Sequence, residues 1–358
     1  MVDQIITRMK SANAGMSIIV GWDIGGAHLK AARAEAGRIV DAIQVPSPLR
    51  LGLDALAHAF AEAKARVGIA DRHVVTMTGE LADTFFSRAE GVERLTALAL
   101  QALAPAPVSL YAGRAGFIAP AVASDHVEDI ASANWHASAT LVARSLGDGL
   151  FVDMGSTTTD IVPVTGGRVA ARGYTDAQRL AAGELVYTGL TRSFVMAVAD
   201  RVPFGGRWSG LINENFATMA DVHRILGSLP EGADQMSTAD GRPKTTEHSR
   251  ARLARMIGSD VAEVGGNALT HVARWLAEAQ IRSVVDGAML VLSAADLPQQ
   301  APIVAAGIGA GVVAEAARRL GRAHVDFATL FEAAAAVRGR AAQCAPAAAL
   351  ALIAGDPP

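Results

Sequence analysis

Residues 20–30 read Val20-Gly21-Trp22-Asp23-Ile24-Gly25-Gly26-Ala27-His28-Leu29-Lys30. The apolar run Ile18–Val20 predicts a buried strand that enters a glycine turn. Glycine lets the backbone turn sharply at a strand end and come close to a ligand. Amides exposed in such a turn donate to phosphate oxygens. Asp23 does not attract phosphate, so its natural task beside one is to hold Mg²⁺, directly or through water. Working outward, Leu29–Ala36 and Arg38–Gln44 read as the next two strands, joined near Gly37. Gly52–Val67 reads as a helix and Val74–Met77 as a strand.

The pattern starts again at Leu150. Phe151-Val152-Asp153-Met154-Gly155-Ser156-Thr157-Thr158-Thr159-Asp160 repeats the apolar strand, the Asp, one residue, and the Gly. It then adds four hydroxyl side chains, which suit a phosphate or diphosphate. Asp160 reads either as a second metal-facing acid or as a cap of the turn. The two stretches are an internal duplication of a hairpin with an acidic turn. Further along, Asn267–Ile281 reads as a helix, Ala288–Leu292 as a strand and Ile303–Ala306 as another. Gly307-Ile308-Gly309-Ala310-Gly311 opens the helical stretch Val312–Leu320. That glycine run reads either as close helix–strand packing or as a ligand wall, because no acidic strand end follows at dinucleotide spacing.

Composition sets the bounds. The chain has 358 residues, 51% of them hydrophobic types and 19% charged, enough apolar material to exclude general disorder. A net charge of −3 gives no whole-chain attraction to nucleic acid. One cysteine, Cys344, excludes an internal disulfide framework and a cysteine-built metal site. The first fifteen residues read as a loose leader. No apolar run approaches the roughly 20 residues that span a bilayer, so the expectation is a cytoplasmic chain with no membrane or nucleic-acid partner. The sum is α/β.

These segments together resemble the actin-like ATPase/sugar kinase/heat-shock-70 superfamily. The resemblance implies two related ribonuclease-H-like α/β domains with a central ligand cleft: residues 17–147 with the first phosphate loop, 148–340 with the second phosphate loop and the glycine loop, and 341–358 as a C-terminal helix returning to the first domain. Residues 20–30, Met77-Thr78-Gly79-Glu80-Leu81 and residues 151–160 are more narrowly similar to the hydantoinase/oxoprolinase-related family. Within it they resemble proteins tied to tetrahydromethanopterin-linked one-carbon transfer, whose archaeal branch makes the methanofuran precursor. One departure is Ala27-His28, where many phosphotransferases of the superfamily carry Thr or Ser after the first glycine pair; it argues against ordinary ATP use through that loop.

The narrower resemblance implies a transferase of methylofuran or methanofuran biosynthesis. It would join an aminomethylfuran diphosphate to the phenol of a glutamyl-tyramine or tyrosine-containing acceptor and release pyrophosphate. Mg²⁺ and the substrate's own diphosphate are the implied cofactors, and ATP enters only in the alternative, an ATP-dependent small-molecule kinase or hydantoinase/oxoprolinase-like enzyme. A third class is a nucleotide-gated assembly protein without catalysis. The catalytic candidates are Asp23, Asp153, His28 and Glu80, with Asp23 and Asp153 as metal-organising acids. The binding candidates are Gly25, Gly26, Lys30, Gly155, Ser156, Thr157, Thr158, Gly307 and Gly309. Asp83, Asn134, Arg172 and Tyr174 are polar residues near these segments, and His126, Trp135 and His136 are candidates for a ligand border. Association with a further copy of the chain is left open.

Overall fold

The computed structural model describes residues 17–355; the segment read as a leader lies outside them. Helices of eight residues or more are numbered α1–α9. In chain order the elements are β1 (Ile18–Ile24), β2 (His28–Glu35), β3 (Arg38–Pro46), α1 (Leu53–Val67), β4 (Arg72–Met77), α2 (Arg88–Leu103), β5 (Val108–Tyr111), β6 (Phe117–Ile118) and α3 (Asn134–Leu146). Then come β7 (Gly149–Met154), β8 (Thr159–Thr165), β9 (Arg168–Val169), β10 (Leu185–Val186), β11 (Arg201–Phe204), β12 (Arg207–Gly210), α4 (Met219–Leu226), α5 (Thr246–Met256) and α6 (Gly266–Ala294). The last are β13 (Ile303–Ala306), α7 (Ala310–Arg319), β14 (His324–Asp326), α8 (Ala335–Gln343) and α9 (Ala345–Ile353).

Two sheets carry the fold. The first runs β3-β2-β1-β4-β5-β6 and the second β10-β8-β7-β13-β14, with β9 beside β8. In the first, β1 pairs antiparallel with β2 and parallel with β4. In the second, β7 pairs parallel with β13, and β8 antiparallel with β10. The duplication read from two short motifs therefore extends over whole sheets: β1, β2, β3 and β4 have counterparts in β7, β8, β10 and β13.

The chain divides into two compact units. One comprises residues up to Gly149, Val162–Gln178 and Val325 onward; the other comprises Leu150–Ile161 and Arg179–His324. In the first unit, Val20, Trp22 and Ile24 of β1 pack with Leu56, Phe60 and Ala63 of α1 and Val92, Leu95 and Ala99 of α2. Strand alternation sends Gly21 and Asp23 to the opposite face, where α9 lies. A Cβ on Gly21 would sit 2.1 Å from the Ala347 carbonyl oxygen, so only glycine lets this strand and this helix touch backbone to backbone. Every residue of α9 is buried, which an Ala-rich sequence permits because small side chains let elements approach closely. In the second unit, Leu150, Val152 and Met154 of β7 pack with Val284, Ala288 and Val291 of α6 and Val313 and Ala317 of α7.

The structure overturns one expected element. Ala288–Leu292 is not a strand but part of the 29-residue α6. Val284, Ala288 and Val291 recur at helical spacing along one buried face, a period that a five-residue apolar window does not reveal. The helix α2 starts at Arg88, where the Ser87 hydroxyl accepts from the Glu90 amide at 3.2 Å, an N-cap.

Candidate functional site

Both hairpins turn in the same way. The Gly25 amide donates to the His28 carbonyl at 2.9 Å, and the Gly155 amide to the Thr158 carbonyl at 2.9 Å. Each turn is then overlaid by the segment that follows the third strand of its sheet. In the first unit Ser47 and Leu49 donate to the Ala27 and Gly26 carbonyls at 2.9 and 3.0 Å. In the second, Leu190 donates to the Gly155 carbonyl at 3.0 Å, and Thr191 and Arg192 to the Ser156 carbonyl at 3.3 and 2.8 Å. In a planar trans peptide the C=O and N–H point in opposite directions. With the carbonyls turned toward the overlying segment, the amides of Ala27, Ser156 and Thr157 point away from it. Among the described residues none of these three amides, nor that of Gly26, has an acceptor. Successive free amides of this kind form an anion-binding nest.

The third glycine motif of each sheet meets the end of the first strand. Thr78 and Gly79 both donate to the Ile24 carbonyl, at 2.9 and 3.0 Å, and Gly309 donates to the Met154 carbonyl at 2.9 Å. Gly307 has φ +78, and a Cβ there would lie 2.3 Å from Asp153 Oδ1. A Cβ on Gly309 would meet the Met154 side chain at 2.4 Å. Gly307 and Gly309 thus seat the carboxylate and the strand end of the second hairpin, whereas a Cβ on Gly26 or Gly311 would meet open space.

Asp23 sits on β1 opposite Lys30 of β2 and beside Thr76 of β4. Its Oδ2 is 3.4 Å from Lys30 Nζ. Oδ1 is buried and has no hydrogen-bond partner among the described residues. Burial raises the Asp23 carboxyl above its ordinary value, and this outweighs Lys30 and the Asn134 side chain, which pull the other way. Asp153 is likewise buried. Among the described residues no group of three or more His, Cys, Asp or Glu side chains is gathered as a metal cage. Mg²⁺ needs none, since it takes one or two carboxylates, waters and substrate phosphates. The orphaned Oδ1 of Asp23, next to an amide nest, fits that donor set.

The other expected residues separate. His28 is buried at the start of β2, and its carbonyl closes the first turn. Glu80 is fully buried: Ser132 Oγ donates to its Oε1 at 2.9 Å, and Arg88 Nε lies 3.9 Å away. Burial raises the Glu80 carboxyl, and Asp176 adds to the rise. Tyr174 donates to the Asp129 carbonyl at 2.5 Å and stacks edge-on against Trp135. Asp160 is engaged by Arg179 at 2.8 Å, and Thr159 donates to the Thr188 carbonyl at 2.7 Å. Sequence reasoning missed the overlying segments Ser47–Leu49 and Thr188–Ser193. The signal in the second was its composition, Thr188-Gly189-Leu190-Thr191-Arg192-Ser193. A Cβ on Gly189 would be 2.4 Å from the Thr157 amide nitrogen, and Arg192 Nη1 donates to Thr157 Oγ1 at 3.1 Å.

The hydantoinase/oxoprolinase family model matches residues 71–347, well over half of the chain. The chain belongs to the hydantoinase/oxoprolinase family. This family member is 34% identical, over 68% of its own length and 72% of the relative's, to the (4-{4-[2-(gamma-L-glutamylamino)ethyl]phenoxymethyl}furan-2-yl)methanamine synthase of Methanocaldococcus jannaschii. A synthase of the same name from Methanococcus vannielii is 32% identical over 35% of this chain and 55% of that one. Among solved structures, nucleotide-free acetone carboxylase superposes with a TM-score of 0.55 at 12% identity, covering 92% of this chain and 70% of that one. The fold is that of the actin-like ATPase superfamily, and the chain is a distant relative of the archaeal furanylmethanamine synthases. No helix among the described residues is long and apolar enough to cross a membrane.

Proposed function

We propose that this family member is a small-molecule enzyme in which the amide nest of each unit, Gly26–Ala27 in the first and Ser156–Thr157 in the second, is built to take phosphate oxygens. The observation that carries the reading is the pair of matching turns in which the Gly26, Ala27, Gly155 and Ser156 carbonyls accept bonds while, among the described residues, the amides of Gly26, Ala27, Ser156 and Thr157 have no acceptor. Two finer reactions are compatible with such nests. The family match, over residues 71–347, gives broader support to an ATP-dependent or hydantoinase/oxoprolinase-like activity. The similarity to the archaeal synthase, over 68% of the chain, supports a more specific one: furanylmethyl transfer from an aminomethylfuran diphosphate to a phenol.

In the transfer reading, the bond between the furanylmethyl carbon and the diphosphate oxygen breaks, and its electron pair leaves with the diphosphate. The phenolic oxygen forms the new C–O bond and loses its proton. The nest amides stabilise the charge that gathers on the leaving diphosphate. Asp23 in the first unit and Asp153 in the second are each candidates to hold Mg²⁺, which would supply Lewis-acid neutralisation of that charge. Lys30 holds the Asp23 carboxylate in place from the neighbouring strand.

The test is an incubation with aminomethylfuran diphosphate, Mg²⁺ and γ-glutamyltyramine, with and without ATP, reading the ether by mass and pyrophosphate separately. Ether and pyrophosphate without ATP support furanylmethyl transfer. Product that forms only with ATP, accompanied by ADP, selects the ATP-dependent reading and removes the transfer.

A further inference from the structure

Just past β4 the first unit buries an acid that no cation reaches with a hydrogen bond. Glu80 lies in the loop between β4 and α2, and its side chain is fully buried. α2 closes on it so tightly that a Cβ on Gly91 would lie 2.1 Å from the Glu80 carbonyl oxygen. Arg88, the first residue of α2, brings its Nε to 3.9 Å from Glu80 Oε1, too far for a hydrogen bond. Glu80 Oε2 and Arg88 Nε are both buried, and among the described residues neither has a hydrogen-bond partner. A bare, buried carboxylate oxygen favours the protonated acid. Burial is the largest cause that raises the Glu80 carboxyl. The Asp176 charge adds to the rise, while the Glu80 amide, Ser132 and Arg88 pull the other way.

The other oxygen of Glu80 faces a hydroxyl with two claimants. Ser132 Oγ lies 2.9 Å from Glu80 Oε1 and 3.3 Å from Asp176 Oδ2. A serine hydroxyl has one hydrogen to donate, and an ionised carboxylate only accepts. With both acids ionised, a hydrogen given to Glu80 leaves Asp176 facing a lone pair. One proton on Glu80 removes the conflict. Glu80 Oε1–H then donates to Ser132 Oγ, and the Ser132 hydrogen turns to Asp176. Ser132 stands between the two acids with φ +53, a left-handed backbone that is uncommon for a residue with a Cβ. Its neighbour Ala131 pairs with Met77 of β4. Asp176 is half-buried, so the outer end of the chain of bonds reaches water.

We infer that Glu80, Ser132 and Asp176 form a proton-binding site, which latches the segment Tyr174–Gln178 onto the turn before α3 while Glu80 holds a proton. The segment has a second tie, from the Tyr174 hydroxyl to the Asp129 carbonyl at 2.5 Å, so the proton governs its Asp176 end. Loss of the proton sets two carboxylates against one hydroxyl and releases that end. All these residues belong to the first unit, and Asp176 comes just before the chain passes into the second at Gln178–Arg179. The turn that is gripped leads directly into Asn134, whose side chain bonds Asp23. The latch therefore steadies the helix end that meets the first acidic turn.

The experiment is amide exchange of the full chain, read by mass spectrometry from pH 5 to 9 and corrected for the chemical exchange rate, with β7 and β13 as the reference. Wild-type protection at residues 131–137 and 174–178 is expected to fall about tenfold per pH unit until the raised Glu80 value is passed, the linkage of one released proton, and then to level off. Glu80→Gln, whose amide donates to Ser132 as the protonated acid does, should keep the low-pH protection throughout. Asp176→Asn lets its amide donate to Ser132 and leaves the hydroxyl hydrogen to ionised Glu80. It should flatten the slope, and it decides the matter if Glu80→Gln does not fold. An infrared difference at pH 6 between wild type and Glu80→Gln should show the loss of one protonated carboxyl. Wild-type protection that does not change with pH overturns the inference. So does a slope that Glu80→Gln keeps, or that Asp176→Asn keeps where only that variant folds, and so does an infrared difference without the protonated-carboxyl band.

Discussion

A buried carboxylate with one oxygen unpartnered destabilises the fold that contains it, and Asp23 is such a group. Burial raises the carboxyls of Asp23 and Glu80 above 3.8 and 4.5 respectively. The folded state therefore binds protons more tightly than the unfolded one at both positions. Their stabilising contribution is complete below the unfolded values and is lost as pH rises through the folded ones. Asp23→Asn and Glu80→Gln are accordingly expected to be at least as stable as wild type at pH 7–8, with a shallower fall in stability from pH 4 upward. Urea unfolding across that range checks this, and parallel curves for variant and wild type would refute it. Asp23→Asn should also lose the Mg²⁺ dependence of pyrophosphate binding, whereas Glu80→Gln should keep it, because Glu80 is engaged with Ser132 and Arg88. The acid and the glycines of each turn were legible in the sequence because turn chemistry is local. The overlying segment Thr188–Ser193 was not, because its place over the second turn rests on contacts such as the Arg192–Thr157 hydrogen bond, which spans 35 residues.

Elements were read well where one period dominates. The β1–β2–β3 meander and the helix Leu53–Val67 follow from alternation and from Ala/Leu/Glu spacing. α6 was broken in two because its last third is apolar on more than one side, with Met289 and Leu290 exposed. The strand β14 was missed: three residues between a helix end and a one-turn helix carry too little pattern. Gly21 shows what a strand can conceal. Its sequence context is an ordinary apolar run, and only α9 gives the glycine a reason. Gly21→Ala is expected to destabilise the first unit by roughly 1–3 kcal/mol, the range for overpacking, with the loss visible in chemical denaturation. An unchanged midpoint would mean that α9 moves aside freely. Gly26→Ala, facing open space, is the control that should cost much less.

At the scale of the molecule, the repeat is the main lesson. Two acidic hairpins were visible as motifs, but the matching third strands, overlying segments and glycine contacts were not, since they share architecture rather than residues. The two compact units are also unequal in how they are assembled from the chain. Residues Arg179–His324 make up most of the second, while the first draws on segments on both sides of them. A chain ending at Cys344, without α9, should lose amide-exchange protection in β1, β2 and β4 and keep it in β7, β13 and α7. Equal protection throughout would show that α9 contributes nothing to the first sheet. The same feature orders events during synthesis. β1 leaves the ribosome early, but the helix that covers its Gly21–Asp23 face is made only after the whole second unit, on the order of tens of seconds later at ordinary translation speed. For that interval the Gly21–Asp23 face of the strand stands without its cover, while every residue of the second unit has already been made.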